Sequence, residues 1–265
     1  MSLGHILLSG SPGLGKTSLA RLIAKELSVN IFELIGPRIE SEEILDEVFS
    51  EINAGDVLFI DEIHALKPAV EELLYAAMED YTWQGKKLPA FTLIGATTKV
   101  GSLSRPLHDR FTIAEHLVPY SLTELQLITI GSAGKLNHII HSEAAAEIAK
   151  RSRGTPRLSN QYLLRVRDYA TNSLITLADV ETCFKALDID SNGLDRQDRK
   201  LIATIHKLFR NRPVGIGSLS SALDEDRETI ETLREPYLVN MGLLGRGSKG
   251  RFLTEEGIKL AGTLG

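Results

Sequence analysis

The stretch HILLSGSPGLGKTSLARLIAKEL, residues 5–27, is compatible with few folds. A short apolar run ends in glycine, GSPGLGKT (10–17) follows with the spacing G-x-x-x-x-G-K-[ST], and apolar residues then recur at helical intervals. That order reads as strand, phosphate-binding loop and helix. Glycines let backbone N–H groups turn inward on phosphates, and the positive end of the helix dipole adds favourable potential. In such a loop Lys16 binds the β- and γ-phosphates, and the Thr17 hydroxyl ligates Mg2+.

Two more apolar runs, DVLFIDE (56–62) and AFTLIGATT (90–98), are expected as buried strands alternating with helices such as PAVEELLYAAMED (68–80). The fold class is therefore α/β, a parallel sheet with helices on both faces, extending to about residue 118. Parallel sheets bind ligands at the carboxyl ends of their strands, where Asp61 and Glu62 fall. Asp61 is expected to complete the Mg2+ shell and Glu62 to orient or deprotonate the attacking water. His64, close by, is read as structural. Thr98, ending the third strand, is placed for a hydroxyl that senses a γ-phosphate. For Arg110 in PLHDRF (106–111) a surface salt bridge is the plainer reading, and an arginine reaching a nucleotide on a neighbouring subunit the sharper one.

Beyond residue 118 the strand signal stops. Helical stretches follow, including SLTELQLITI (121–130), SEAAAEIAKRS (142–152) and LSNQYLLRVRDYA (158–170), with Ser121 and Ser142 expected as capping-box N-caps. DIDSNGLD (188–195) has the composition of a boundary. The remainder reads as three helices and two short strands around GRGSKG, the layout of a winged helix. The expected domains are 1–118, an AAA+-type nucleotide-binding domain, 119–190, a helical lid, and 191–265, a winged-helix DNA-binding domain.

Composition narrows the class further. No apolar run approaches the roughly 18 residues of a membrane span, so a cytoplasmic protein is expected. The only cysteine, Cys183, excludes a disulfide within the chain and is read as a core residue. His138 and His141 have helical spacing but no further ligands to complete a metal site, so they are read as surface residues. The net charge of −5 argues against a uniformly basic surface, yet from Gly193 onward there are 12 Lys/Arg against 10 Asp/Glu. A local DNA-binding patch around GRGSKGR is thus expected.

LLSGSPGLGKTSLA, LFIDEIHAL, YAAMEDY, FTLIGATT, PLHDRF, RSRGTPR, RVRDYA, GLD, EPYL and GLLGR occur in this order, and together they resemble the RuvB family. That family comprises hexameric AAA+ motors of bacterial Holliday-junction branch migration, and the resemblance covers essentially the whole chain. It implies ATP and Mg2+ as cofactors, with Gly13, Lys16, Thr17 and Ser18 in the nucleotide-binding loop. It implies Asp61 and Glu62 as the Walker B acids, Thr98 as the first sensor and Arg110 as an arginine finger acting on ATP held next door. Tyr120 and Arg157 match nucleotide-contacting positions of the lid, Arg157 being the second sensor, and Glu79, Asp80 and Tyr81 match a further nucleotide-associated stretch. Arg246 and Arg251 align with wing arginines that touch DNA.

Two departures stand out. Family members carry a segment before the first strand that closes over the adenine, and it does not precede the first strand in this sequence; if the protein lacks it, weaker nucleotide affinity and base selectivity are expected. They also carry a longer hairpin, the docking site of the junction-binding partner RuvA, where this chain has TWQGKKLPA (82–90). That stretch is read as a loop with one packed aromatic, Trp83, in preference to a hairpin stub, which puts dependence on a RuvA-like partner in question. The expected function is an ATP-driven branch-migration motor working as a ring. The alternative is an ATP-gated DNA-binding module, like a clamp loader or initiator, that does not translocate.

Overall fold

The computed structural model describes residues 3–264, which form two compact units, one of the residues up to Tyr120 with Thr155–Arg157 and one of Ser121–Gly154 with the residues from Leu158 onward. In the first unit, strands β1 (Ile6–Gly10), β2 (Ile31–Ile35), β3 (Val57–Asp61), β6 (Thr92–Thr97) and β7 (Ile113–Leu117) form one sheet in the order β2-β3-β6-β1-β7, every pair parallel. The helices are α1 (Lys16–Leu27), α2 (Glu43–Glu51), α3 (Pro68–Glu79) and the single turn α4 (Arg105–His108).

The apolar runs are continuous because both faces of the three central strands are covered, and strand alternation deals their residues to opposite sides. Leu7, Leu58, Ile60 and Leu93 join Leu45, Phe49, Leu74 and Trp83 on one face. Ile6, Leu8, Val57, Phe59, Ile94 and Ala96 pack on the other with Ala20 and Ala24 of α1. The edge strands β2 and β7 lack this double burial, most of their residues being partly or fully exposed.

TWQGKKLPA is a hairpin stub and not the expected loop. Strands β4 (Thr82–Trp83) and β5 (Lys86–Lys87) pair antiparallel. Gln84 and Gly85 between them both have positive φ, 48° and 76°, as the tightest hairpin turns require. Trp83 anchors the stub: it is buried, tilted on Phe49 with ring centroids 4.7 Å apart, and its Nε1–H donates to Asp46 at 2.5 Å.

The second unit contains helices α5 (Leu122–Lys135), α6 (Ser142–Arg151), α7 (Pro156–Arg167, beyond its first two residues) and α8 (Leu177–Ala186), with the parallel two-residue pair β8 (Ile139–Ile140) and β9 (Leu174–Ile175). Cys183 lies in their core, as expected, and burial pushes its thiol pKa up. Ser121 forms its capping box with Glu124. Ser142 does not: three residues on stands Ala145, which has no side chain to reach back, and the cap position is His141.

The same unit continues with α9 (Arg196–Lys207), α10 (Ile216–Leu223), α11 (Arg227–Thr229), a π-helical segment Ile230–Arg234, α12 (Glu235–Asn240), the antiparallel wing β10 (Leu244–Gly247) and β11 (Gly250–Leu253), and α13 (Glu255–Thr263). Pro236 lacks an N–H to continue a regular ladder, and the widened turn immediately precedes α12. Helix α9, helix α10 and the continuous run from α11 to α12, with the two-stranded wing and α13 packed on the same core, make a winged helix. No helix of the described residues is long and apolar enough to cross a membrane.

Candidate nucleotide and DNA sites

The sheet order explains how distant motifs converge. β6 lies between β1 and β3, so the phosphate loop, Thr98 and the Asp61-Glu62 pair all emerge at the same edge. Gly13 and Gly15 have φ of +81° and +95°, conformations that L side chains rarely adopt. A Cβ on Gly13 would also stand 2.8 Å from both Arg157 Cβ and Thr155 Cγ2, so the loop and the Thr155–Arg157 turn close on each other only because residue 13 is glycine. The Arg157 N–H donates to Gly13 O at 3.3 Å, and the Tyr120 hydroxyl donates to Leu14 O at the same distance.

Lys16 is buried, and its ammonium donates to Gly10 O at 2.8 Å and Ser11 O at 3.1 Å. Burial lowers its pKa against the pull of Glu62 and Asp61, which raise it, while the Arg157 charge lowers it further. Lysine, two acids and Arg157 therefore share one electrostatic neighbourhood, the set of charges that phosphoryl transfer needs.

Glu62 occupies the left-handed region, with φ 50° and ψ 46°. Its carboxylate accepts from the Thr98 hydroxyl at 2.9 Å and the Thr98 N–H at 3.2 Å, and His64 Nδ1 lies 3.2 Å from the same oxygen. His64 Nδ1 is also 2.9 Å from the Thr97 hydroxyl. Two hydrogen bonds from Thr98 thus hold one carboxylate oxygen at the sheet edge, with the His64 ring beside it. Gly36 makes room for the turn, since a Cβ there would lie 2.5 Å from Glu62 O. Sequence reasoning passed over Gly36 and assigned His64 no site role. Gly-Pro after an apolar run was the available signal for the first, whereas nothing local identifies the second.

The other expected residues separate into clusters. Thr17 and Ser18 sit in the first turn of α1. Arg110 stacks over Tyr75, Cζ to ring centroid 4.1 Å, pairs with Glu79 at 3.1 Å and donates to Pro106 O at 2.6 Å. Asp80 accepts through its carbonyl from Lys87, and Tyr81 packs edge-on against Phe91.

In the wing, Arg246 and Arg251 are cross-strand partners. Two like charges directly opposite would repel. The fully buried carboxylate of Glu235 joins them, accepting from Arg251 Nε at 2.7 Å and pairing with Arg246 Nη2 at 2.5 Å. Arg251 also pairs with Glu231 and is 15% exposed, while Arg246 is 49% exposed.

A parallel sheet with a P-loop, an acid pair and a threonine hydrogen-bonded to it, with a helical lid and a winged helix in the second unit, defines an AAA+ ATPase. Family models match end to end: the Holliday junction DNA helicase RuvB P-loop domain over residues 1–117, the RuvB AAA lid domain over 120–190 and the RuvB C-terminal winged helix domain over 191–262. The Holliday junction branch migration complex subunit RuvB of Lactobacillus helveticus is 47% identical, over 96% of this chain and 78% of its own length. That of Pediococcus pentosaceus is 45% identical, over 99% and 82%. The structure of the Thermotoga maritima RuvB Holliday junction branch migration motor superposes with a TM-score of 0.86 at 44% identity, covering 97% of this chain and 87% of that one. The chain belongs to the RuvB family.

Proposed function

We propose that this chain is an ATP-driven DNA motor that moves four-way junctions by branch migration, hydrolysing ATP between the subunits of a hexameric ring in the cytoplasm. The observation that supports hydrolysis over passive binding is the Glu62 carboxylate, fixed by two hydrogen bonds from Thr98 beside the phosphate loop. A residue held this way orients or deprotonates water without rearranging first.

Gly13, Lys16, Thr17 and Ser18 would hold the nucleotide's phosphates, with Tyr120, after β7, and Arg157, in the adjoining turn, contacting it. Thr17 and Asp61 would hold Mg2+. Among the described residues no group of three or more His, Cys, Asp or Glu is placed to hold a metal ion by itself. One hydroxyl and one carboxylate are what Mg2+ takes where substrate phosphates and waters fill the remaining positions, so the donor set fits. Bound there, the ion supplies charge neutralisation on the phosphates.

Arg110 would act on ATP held by a neighbouring copy, and Glu79, Asp80 and Tyr81 would border that nucleotide. Loss of the γ-phosphate removes the partner of Arg157 and frees the segment that follows it. Arg246 and Arg251 would serve DNA, Arg246 through phosphate and Arg251 by fixing the wing, giving salt-dependent, sequence-independent affinity suited to translocation. A junction-binding partner of RuvA type would meet a short hairpin of two-residue strands at Thr82–Lys87.

The test is steady-state ATP hydrolysis with and without four-way-junction DNA, across protein concentrations, beside Lys16→Ala. Turnover that rises with concentration and DNA and vanishes in the variant is expected. ATP binding without turnover at any concentration would replace the motor with an ATP-gated DNA-binding module.

A further inference from the structure

Arg110 is held on its own subunit by contacts of unequal strength. Glu79 is 56% exposed, so its ion pair is screened by water and weak. The Tyr75 ring, by contrast, lies under a guanidinium that is only 19% exposed, where cation–π attraction is stronger. The ring is itself pinned: the Tyr75 hydroxyl donates to Glu71 at 2.6 Å and lies 3.3 Å from Ser104 Oγ. Ser104 in turn bonds Glu71 and caps α4, the turn that leads into Arg110, by accepting from the Leu107 N–H. The Arg110 Nε–H is buried with no hydrogen-bond partner among the described residues.

We propose that Tyr75 is the positioning residue of Arg110, the platform that presets the guanidinium for an anionic group brought by a second copy of the chain. A phosphate competes directly with Glu79, because both are anions seeking the same N–H groups. It does not compete with Tyr75, whose attraction acts through the face of the ring. Glu79 is thus the exchangeable partner and Tyr75 the permanent one. This inference rests on the reading of Arg110 as acting in trans.

The experiment uses the full chain carrying Tyr75→Leu, Tyr75→Phe or Arg110→Ala, each alone and mixed with Lys16→Ala, whose own finger is intact. For Tyr75→Leu, kcat for ATP falls about tenfold while KM stays within about twofold, since the lost interaction acts after ATP is bound. Tyr75→Phe, which keeps the ring, retains most of the rate. Mixing Tyr75→Leu with Lys16→Ala yields more turnover than the two measured separately, because an intact finger then serves an intact phosphate loop. An unaltered rate in Tyr75→Leu overturns the proposal. So does a loss in Tyr75→Leu that mixing does not relieve while the Arg110→Ala loss is relieved, which leaves the trans reading standing. Failure of Arg110→Ala itself to be relieved overturns both.

Discussion

Thr98 holds Glu62 twice, donating to the same carboxylate oxygen from its hydroxyl at 2.9 Å and its backbone N–H at 3.2 Å. The backbone bond survives any substitution, so the side-chain bond can be removed alone. Thr98→Val is expected to lower kcat by roughly 5- to 30-fold, about 1–2 kcal/mol, with ATP affinity unchanged. Paired equilibrium binding and single-turnover measurements check this, and an equal loss in both would place Thr98 in ground-state binding.

Gly13 is constrained by conformation and by space. Gly13→Ala forces a side chain into φ +81° and to within 2.8 Å of Arg157 and Thr155. A local cost of about 1–3 kcal/mol follows, and because the clash lies in the loop itself nucleotide binding should fail while the sheet remains folded. Circular dichroism with nucleotide titration would show this, whereas tight binding by the variant would contradict it.

Glu235 and Arg246 should separate stability from DNA binding. Glu235→Ala strips the buried counter-charge from two facing arginines and is expected to destabilise the second unit by about 3 kcal/mol, read as a lower unfolding midpoint. Arg246→Ala, at a half-exposed position, should leave that midpoint nearly unchanged and reduce the slope of log affinity against log salt by about one. Equal salt slopes for wild type and Arg246→Ala would exclude a phosphate contact there.

A pH signature is expected at the start of α9. Burial disfavours ionisation of Asp195, but the Asp198 N–H and the charges of Arg234 and Arg153 outweigh it and hold its pKa below the ordinary aspartate value. Asp195 therefore contributes stability above about pH 4 that is lost as pH falls through its lower folded value. Asp198, raised chiefly by burial, acts in the opposite sense, contributing stability below that range that is lost as pH rises through its raised value. Asp195→Asn should accordingly unfold earlier than wild type at pH 7, with the gap closing as pH drops below about 4. Thermal unfolding across that range measures it, and a constant gap would mean that the loss is not electrostatic.

What the sequence determined by itself were features whose cause is local. The phosphate loop is recognisable because its glycines, lysine and threonine act within eight consecutive residues. The three central strands are recognisable because burial on both faces leaves continuous apolar runs. β2 and β7 stayed hidden because an edge strand is covered less and shows no such run. The hairpin at Thr82–Lys87 was misread because its stability comes from Trp83 docking on Phe49 and Asp46, more than thirty residues away. Tertiary structure alone decided that Thr98 bonds Glu62, that Tyr75 lies under Arg110 and that Glu235 joins the wing arginines. The reason is common to all three: ion pairs, ring stacking and side-chain hydrogen bonds act over a few ångströms in space, and only the folded sheet and winged helix bring those distant positions within that range.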